Sequence, residues 1–300
     1  MQKTILSTAD VARLFNVTET TVKRWANDGT LKCMKTPGGH RKFEMKNVVD
    51  FAETLNFEPS GTLSLTGEDA LAQKIQIAVL SRDFSFLKEA FLEKALSPDK
   101  QDMFVFFGFL YQHKIPLSEI YEMILKPGMT EIGNRWERGV LTVDQEHRAS
   151  YETLDALAQL QTQIHIQPPT GLSMLAACPG DEPHELGLRC VSYLFESEGW
   201  RTDYIGARTP FASVLNATRE LRPRVVCLSR TLLLQEEEHQ PMHRLINDLT
   251  EIGVDLFLGG PAFCAASNQY RDGAHMYCSS AELLARMKAI EKTTRLTSGS

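Results

Sequence analysis

The stretch of residues 182–187 most constrains the fold of this chain, because it joins an apolar run to an amphipathic segment. Residues 172–177 have the character of a buried strand, and residues 188–198 have helical periodicity. His184 therefore lies on a loop between a strand and a helix, two residues after Glu182. A carboxylate at that spacing can hold one imidazole nitrogen and leave the other free for a metal. The alternative is a solvated surface histidine.

Two further apolar runs predict strands downstream, at residues 225–229 and 254–258, with helical patterns between the strands at 211–221 and 242–252. Strands that alternate with helices form a parallel sheet covered by helices on both faces. The sequence therefore predicts a doubly wound parallel sheet, the Rossmann-like class of α/β fold. Its ligands bind beyond the carboxyl ends of the strands.

Polar and small residues follow the predicted strands at that edge of the sheet. His184 follows the first strand, Ser229 ends the second, and Gly259-Gly260 follows the third. Paired glycines at such a position would let a bulky ligand approach the backbone closely.

This order of an acidic residue, His, Gly, a Ser-containing turn and Gly-Gly resembles the cobalamin-binding domain, over about residues 171–293. The resemblance implies that His184 is the lower axial ligand of cobalt, oriented by Glu182. It also implies that Ser229 lines a slot for the displaced nucleotide tail, on which Gly259-Gly260 packs. The residues assigned to this site are Glu182, His184, Gly187, Ser229, Thr231, Gly259 and Gly260.

Two departures from the family pattern affect the tail slot. Thr231 stands where the family often has leucine, and residues 235–239 lengthen the gap to Gly259 slightly. Neither departure touches the proposed cobalt ligand.

A second motif lies upstream, around Trp136. Residues 142–145 have the form of a capping box, which predicts a long helix from there to about residue 166. Glu146 and His147 would occupy its first turns, and Trp136 would precede the connecting loop, where Gly139 favours a turn. Taken alone, this is also typical of a core tryptophan followed by two solvated polar residues.

The spacing from Trp136 to Glu146 and His147 resembles the helical cap of light-sensing cobalamin repressors of the CarH type. The resemblance implies that these three residues and Val143 cover the upper face of adenosylcobalamin. Such sensors have a histidine directly after the tryptophan, which captures cobalt after photolysis. This chain has Glu137 there. We therefore expect no stable bis-histidine adduct through that position.

The first 43 residues predict a DNA-binding head. Residues 7–15 and 18–26 read as two short helices joined by a tight turn, a helix-turn-helix whose second helix enters the major groove. Residues 36–43 combine a Gly-Gly turn with basic residues, as a hairpin wing that grips phosphate does. The pattern resembles the MerR-type winged helix. The residues expected to contact DNA are Thr20, Thr21, Lys23, Arg24, Gly39, His40, Arg41 and Lys42.

The charge distribution agrees with a DNA-binding head on an acidic body. Residues 1–50 have a net charge of +4, whereas the whole chain has −6, so the remaining residues have −10. One small head makes few phosphate contacts, so useful affinity requires two or more copies. We therefore expect a homo-oligomer, a tetramer or a dimer, bound to double-stranded operator DNA.

Breaker-rich segments predict the domain boundaries. Residues 56–62 are the best linker candidate, and residues 168–171 mark a second boundary. The expected division is a winged helix at 1–56, a linker at 57–67, a helical bundle at 68–167 and the cobalamin-binding domain at 171–293. The helices of the bundle are expected from about residue 68 to residue 80 and at 84–96, 101–111 and 117–136, followed by the helix after residue 142.

Cysteine usage and hydropathy predict a cytoplasmic protein. The six cysteines lack a CxxC pair, which favours reduced and mostly buried thiols. The chain has neither a long apolar run nor a secretory signal, so no membrane attachment is expected.

The sequence therefore predicts a cobalamin-dependent, light-responsive repressor, assembled on DNA by adenosylcobalamin and released by photolysis. One alternative is a MerR-type regulator that acts without cobalamin, and another is a light-insensitive cobalamin sensor. A cobalamin-dependent enzyme would need a substrate barrel, for which the chain has no room, so no enzymatic activity is expected. Haem bound through His184 is a further alternative. Either activation or repression is compatible with a MerR-type head.

Overall fold

A computed structural model describes residues 5–15, 17–54, 70–97, 101–266, 270 and 273–298. The chain divides into two units, Met1–Ala156 and Leu157–Ser300. The linker candidate at residues 56–62, and all of the expected linker at 57–67, lie outside the described residues. Among the described residues, no helix combines the length and the apolar character needed to cross a membrane.

The first unit begins with a small winged helix whose hydrophobic core includes Phe15, Val22, Leu31 and Phe43. Ser7 caps the first helix: the backbone N–H of Ser7 donates a hydrogen bond of 2.9 Å to Asp10 Oδ2. The elements are β1 (Ile5–Ser7), α1 (Thr8–Leu14), α2 (Glu19–Asn27), β2 (Met34–Lys35), β3 (Arg41–Glu44) and α3 (Met45–Thr54), with strand order β1-β3-β2.

The rest of the first unit is helical. The predicted continuous helix at 117–136 is interrupted by a π-helical turn, Ile120–Leu125, which ends two residues before Pro127. Proline lacks the N–H that an α-helix needs, and a wider turn accommodates that loss. The elements are α4 (Ala70–Ser81), α5 (Phe84–Ala95), α6 (Gln101–Gln112), α7 (Leu117–Glu119), the π-turn, α8 (Lys126–Glu137) and α9 (Val143–Gln161).

The helix after Thr142 ends earlier than predicted. It stops at Gln161 and not near residue 166. The N–H of Thr162 bonds to Gln159 O and that of Gln163 to Leu160 O, so the chain tightens there into i→i−3 bonds. Its beginning matches the capping prediction, since the Thr142 N–H donates to Gln145 Oε1 at 2.9 Å.

The second unit is built on a five-stranded, fully parallel sheet with strand order β5-β4-β6-β7-β8. This is a doubly wound order, and its topological switch point lies between β4 and β6, where successive connections leave in opposite directions. The elements are β4 (Ser173–Pro179), α10 (Leu186–Ser197), β5 (Arg201–Thr209), α11 (Phe211–Leu221), β6 (Val225–Ser229), α12 (Glu236–Ile252), β7 (Asp255–Gly259), α13 (Pro261–Ala265), β8 (His275–Tyr277) and α14 (Ser280–Ser298).

One face of this sheet carries a continuous apolar core against α11 and α12. It contains Leu175 from β4, Val226 and Leu228 from β6, and Leu256 and Leu258 from β7, all essentially inaccessible to solvent. These residues alternate with those facing the other side, as strand geometry requires. The core holds the carboxyl ends of the strands in one row.

Helix α12 starts six residues before its predicted beginning. A capping box forms there: the Gln235 side chain accepts from the backbone of Glu238, and the Glu238 side chain accepts from the backbone of Gln235. Pro241 consequently lies inside the helix. The strands β5 and β8 and the helix α14 were not predicted at all.

The expectation that all six cysteines are reduced thiols is wrong. Cys264 in α13 and Cys278, directly after β8, form a disulfide. Cys178, Cys190 and Cys227 are buried and lie outside this disulfide, as does the half-buried Cys33. The spacing of 14 residues between the bonded pair carries no CxxC signature, which is why sequence patterns did not reveal it.

We expect that unfolded, unreduced protein presents four reactive thiols to an alkylating reagent and that reduction exposes six, measured as mass increments. Closing a loop of 14 residues should also stabilise the fold by about 3 kcal/mol, because the disulfide restricts the unfolded chain. Cys264→Ser should leave five reactive thiols before reduction. Six reactive thiols in unreduced wild-type protein would contradict the disulfide.

Candidate functional site

His184 and Glu182 form a closely bonded pair on the loop between β4 and α10. The Oε1 atom of Glu182 lies 2.6 Å from His184 Nδ1 and accepts a second hydrogen bond, of 2.8 Å, from the His184 backbone N–H. The Glu182 side chain is fully buried, whereas half of the His184 side chain is exposed. Nδ1 therefore carries the proton, and Nε2 is the ring nitrogen with a lone pair for a metal.

The second oxygen of Glu182 binds the loop that follows β6. Its Oε2 atom accepts hydrogen bonds from the backbone N–H groups of Thr231, at 2.7 Å, and Leu232, at 2.8 Å. Burial alone would raise the pKa of the Glu182 carboxyl. The hydrogen bonds from His184 and from these two amides outweigh burial and hold the pKa below its usual range. One carboxylate thus joins the loops after β4 and β6, at the switch point of the sheet.

An ion pair between Arg230 and Glu238 supports the same two loops. Only 1% of Arg230 is exposed, and its Nη1 and Nη2 atoms lie 2.7 and 2.9 Å from the two carboxylate oxygens of Glu238. Arg230 Nη1 also donates to Pro179 O, and the Asp181 N–H donates to Glu238 Oε1. The pair therefore ties the end of β4, the end of β6 and the start of α12 together.

Contacts within the chain explain why glycine stands at the last residue of β7, Gly259, and at the next residue, Gly260. A Cβ atom on Gly259 would lie 2.4 Å from Cζ of Tyr277. A Cβ atom on Gly260 would lie 2.3 Å from Arg230 O, and Gly260 has φ +90°, which disfavours other residues. The close approach predicted for a ligand at this turn is thus used by Tyr277 and Arg230. Gly187, by contrast, has open space where a Cβ would be.

Ser229 and Thr231, the other residues expected at the tail slot, differ in burial. Ser229 is buried and pairs in register with Gly259 of the neighbouring strand. Thr231 is exposed and contributes its backbone N–H to Glu182.

Trp136 lies near the end of α8, where a Schellman motif terminates the helix. The Gly139 N–H bonds to Trp136 O and the Val140 N–H bonds to Arg135 O, both at 2.8 Å, and Gly139 has φ +71°. Trp136 is 45% exposed and Val140 68% exposed. Neither is a core residue, so the structure does not support the alternative of a core tryptophan.

Val143, Glu146 and His147 lie in the first two turns of α9. Val143 is 51% exposed. Glu146 Oε1 accepts a hydrogen bond of 2.8 Å from Ser150 Oγ, and its other oxygen lies 3.7 Å from His147 Nε2. The segment from Trp136 to His147 therefore presents apolar side chains and a Glu-His pair at its surface.

The helix-turn-helix places its basic residues on α2 and on the wing. Thr18 caps α2, accepting from the Thr21 N–H at 3.3 Å. Thr20, Lys23 and Arg24 are exposed, and Lys23 pairs with Glu19 one turn away. These positions lie on the helix expected to enter the major groove.

The wing is a hairpin whose turn contains Gly39 at φ +80°. Gly39 N–H bonds to Thr36 O and Thr36 N–H to His40 O, both at 2.9 Å, which is the pattern of a type I turn followed by a left-handed residue. Gly39 and His40 are exposed, whereas Arg41 and Lys42 are half-buried. Arg41 donates to Asn27 Oδ1 at 2.6 Å and so connects the wing to α2.

Comparison with known protein families identifies three matching segments of the chain. Residues 5–56 match a helix-turn-helix domain, and residues 71–161 and 172–284 each match a B12 binding domain. The chain carries a helix-turn-helix domain and two B12 binding domains. The pairs Glu146-His147 and Glu182-His184 fall in the first and the second B12 binding domain, respectively.

Two curated relatives combine similar parts. The chain is 29% identical to the HTH-type transcriptional repressor CarH of Myxococcus xanthus over 149 residues, 49% of each protein. It is 36% identical to the HTH-type transcriptional repressor CarA of the same organism over 105 residues, 35% of this chain and 34% of CarA. The chain is homologous to both, although the alignments span only about half and a third of these relatives.

A solved structure shows the same fold. The chain superposes on the monomethylamine corrinoid protein of Methanosarcina barkeri with a TM-score of 0.50 and 16% identity, covering 67% of this chain and 94% of that one. The helical B12 binding bundle and the parallel, Rossmann-like sheet are thus as the sequence predicted.

The sequence did not reveal two groups at the second B12 binding domain. Arg230 and Glu238 were not recognised, although a charged residue directly after a buried strand and an acidic cluster at 236–238 were available signals. Tyr277 was missed because the short strand β8 was missed.

We expect Glu182→Gln to destabilise the second B12 binding domain by about 2 kcal/mol at neutral pH, since hydrogen bonds to a buried charge are lost. The lowered pKa of Glu182 means that its charge stabilises the fold above the unfolded-state pKa. That stabilisation is lost as the pH falls through the lower, folded-state pKa. The difference in the free energy of unfolding between wild type and variant should therefore shrink below about pH 4. Urea unfolding at several pH values measures it.

Asp181→Asn is the matched control, because it removes an equal charge one residue away. The Asp181 carboxylate is 89% exposed and pairs only loosely, at 3.4 Å, with Arg208. Such a surface pair contributes little. Hydrogen exchange at the Thr231 and Leu232 amides should quicken in the Glu182 variant alone. Equal behaviour of the two variants would contradict the role assigned to Glu182.

Proposed function

We propose that this protein is a cobalamin-dependent transcriptional repressor, assembled on operator DNA by adenosylcobalamin and released by light. The main support is the half-exposed His184 ring, held through Nδ1 by the fully buried Glu182. The homology to two named repressors supports a regulator and not an enzyme. A cytoplasmic location is proposed from the homology to two transcriptional repressors, since the disulfide between Cys264 and Cys278 removes the argument from reduced thiols.

The residues around His184 fit a corrinoid. A neutral imidazole whose Nδ1 proton is bound by a carboxylate is a good nitrogen donor for cobalt through Nε2. Leu232 and Leu233, on the loop that Glu182 fixes, are 45% and 65% exposed, which suits contact with the apolar rim of a large macrocycle. Ser229 and the turn at Gly259-Gly260 would line the slot for the displaced nucleotide tail, with the space directly over the two glycines taken by Tyr277 and Arg230.

We propose that the segment from Trp136 to His147 also contacts this cofactor, on its upper side. Trp136 and Val143 offer exposed apolar area, and Glu146 and His147 offer hydrogen-bonding groups for the sugar and base of an adenosyl group. With Glu137 at the next position, no histidine follows Trp136 to bind cobalt afterwards.

When bound, adenosylcobalamin supplies a cobalt–carbon bond that light breaks. The protein would have to couple burial of the adenosyl group to its own assembly into an oligomer. A ligand shifts assembly only through its different affinity for the two states, and a shift from 1:99 to 99:1 requires about 5.5 kcal/mol. That corresponds to roughly 220 Å² of buried apolar surface. Burying a whole aromatic side chain removes about 150–250 Å² from water, and because Trp136 is 45% exposed it can supply at most about half of the required area. Other exposed apolar side chains, such as Val140 and Val143, would have to supply the rest.

The DNA-binding head requires assembly of several copies if it is to bind DNA tightly. A few phosphate contacts from one winged helix give weak, salt-sensitive binding, whereas linked copies bind far more tightly. A dimer or a tetramer would place two or more heads on one operator.

Size-exclusion chromatography with absorbance detection, in darkness and after illumination, tests the proposal. We expect adenosylcobalamin to elute with a large dark species that becomes smaller in light. Elution of cobalamin with a species unaffected by light would indicate a light-insensitive cobalamin sensor. No binding of cobalamin would refute the proposal and favour a regulator that acts without cobalamin.

We expect His184→Ala to weaken cobalamin binding at least tenfold, because the nitrogen ligand to cobalt is lost. The spectrum of any bound cobalamin should shift towards that of the form without a lower nitrogen ligand. Absorbance titration measures both effects. His275→Ala, at an exposed histidine that begins β8, is the control and should leave both unchanged. Retained affinity and spectrum in the His184 variant would remove this residue from the site.

We expect Arg24→Ala and Lys42→Ala to weaken DNA binding without affecting cobalamin. On a short random-sequence duplex, each lost phosphate contact should reduce the slope of log affinity against log salt concentration by about 0.9. Lys126→Ala is the control, since Lys126 lies on α8 and pairs with Glu122 at 3.0 Å. An unchanged slope in both head variants would contradict the assigned DNA-binding face.

A further inference from the structure

The disulfide between Cys264 and Cys278 joins two short elements at one edge of the parallel sheet. Cys264 lies in α13, a helix of five residues that begins directly after Gly260. Cys278 directly follows β8, a strand of three residues. One covalent bond thus closes a sequence separation of 14 residues. The bond holds the end of β8 against the helix that leaves the turn at Gly259-Gly260.

The strand β8 is the last strand of the sheet and pairs with β7 at three positions. The paired residues are His275 with Phe257, Met276 with Leu258, and Tyr277 with Gly259. A short strand at an edge is exposed along one side, and such segments open at a lower free-energy cost than the centre of a sheet. The covalent link to α13 is therefore well placed to decide whether this edge stays closed.

The disulfide can be reached from solvent. Cys278 is exposed, whereas Cys264 is half-buried. Thiol–disulfide exchange begins when a thiolate attacks an accessible sulfur, so we expect the attack at Cys278. In a cytoplasm, which is the location proposed above, thiols are kept reduced, and a disulfide there is usually transient or redox-sensing.

Two other cysteines of the same domain are poor competitors for this chemistry. Burial, with a smaller contribution from the carboxylates of Glu182 and Glu185, raises the pKa of the Cys178 thiol to about 12. Burial also raises the pKa of Cys227, which lies in the middle of β6. The thiolate is the reactive form, so neither thiol exchanges readily at neutral pH. Reoxidation should therefore restore the same pair.

We propose that the Cys264–Cys278 bond is a site of reversible thiol–disulfide exchange, opened by a small dithiol and closed by a disulfide oxidant, and that it controls the closure of the sheet edge at β8. The oxidised form holds β8 against α13. The reduced form lets β8 separate from β7.

The exchange proceeds through a mixed disulfide. A thiolate of the dithiol attacks Cys278 Sγ, and Cys264 leaves as a thiolate that takes up a proton from water. The second thiol of the reductant then attacks its own sulfur in the mixed disulfide and releases Cys278. The protein disulfide gains two electrons and two protons, and the dithiol is oxidised to a cyclic disulfide.

Opening of this edge weakens cobalamin binding, which makes the redox state a second input to the regulator. This consequence rests on the proposed function, in which the turn at Gly259-Gly260 contributes to the corrinoid site. When only part of a population has the binding-competent conformation, the apparent affinity falls by that fraction. The oxidised protein is therefore the form that binds cobalamin more tightly.

Native-state hydrogen exchange without corrinoid tests the exchange site. We expect the amides of β8 to exchange at least about tenfold faster after treatment with dithiothreitol, because the covalent restriction on local opening is lost. Oxidised glutathione should restore slow exchange, and the amides of the central strand β6 should be unaffected. Resistance of the bond to dithiothreitol in the folded protein, or equal exchange in the two states, would overturn the proposal. So would equal acceleration in β6, which would indicate general destabilisation.

The double variant Cys264→Ser with Cys278→Ser should exchange as reduced wild type does and ignore dithiothreitol. Cys33→Ser is the matched control, because it removes a half-buried thiol outside the disulfide and should keep the wild-type response. A double variant with the slow exchange of oxidised wild type would show that the bond does not hold β8.

Titration with adenosylcobalamin in darkness, after removal of the reductant, measures the coupling. We expect about fivefold weaker binding by reduced wild type and by the double variant than by oxidised wild type. Equal affinities would overturn the redox input to cobalamin binding. Failure of oxidised and reduced protein alike to bind cobalamin would overturn the proposed function, while the hydrogen exchange result would still decide whether the disulfide controls the edge.

Discussion

The buried carboxylate of Glu182 is the interaction on which the site depends. It accepts hydrogen bonds from the His184 ring, from the His184 backbone and from the amides of Thr231 and Leu232. A buried charge persists only where such donors replace water. The loops after β4 and β6 therefore have to meet, and they meet at the switch point of the sheet, where ligands of doubly wound folds bind.

The ion pair of Arg230 and Glu238 extends this polar network beneath the loops. Its desolvation is offset by a bidentate geometry and by further hydrogen bonds to Pro179 O and from the Asp181 N–H. The apolar core under α11 and α12 fixes where the strands end, and the two carboxylates fix how the loops leave them. The geometry at His184 is thus set by buried charges placed next to a packed apolar core.

The sequence predicted those parts of the fold that strong local patterns specify. Apolar runs located β4, β6 and β7, and capping residues located α1, α2 and the start of α9. The edge strand β5 carries charged and half-exposed residues, and β8 has three residues, so neither has the apolar pattern of a central strand. The pair of Arg230 and Glu238 and the bond of Cys264 to Cys278 arise from tertiary placement, which no local pattern encodes. The motif residues around His184 were predictable; the groups that support them were not.

The contact between Glu182 and the loop after β6 has a consequence for how this family can diversify. Both donors from that loop are main-chain amides, which every residue except proline provides. Substitution at position 231 therefore leaves the histidine's support intact, and threonine in place of the family's leucine is tolerated there. The side chains at positions 231 and 232 can therefore vary without changing the hydrogen bonds that hold Glu182 and, through it, the His184 ring. Only proline at position 231 or 232, or a change in the path of the backbone, would remove these hydrogen bonds to Glu182.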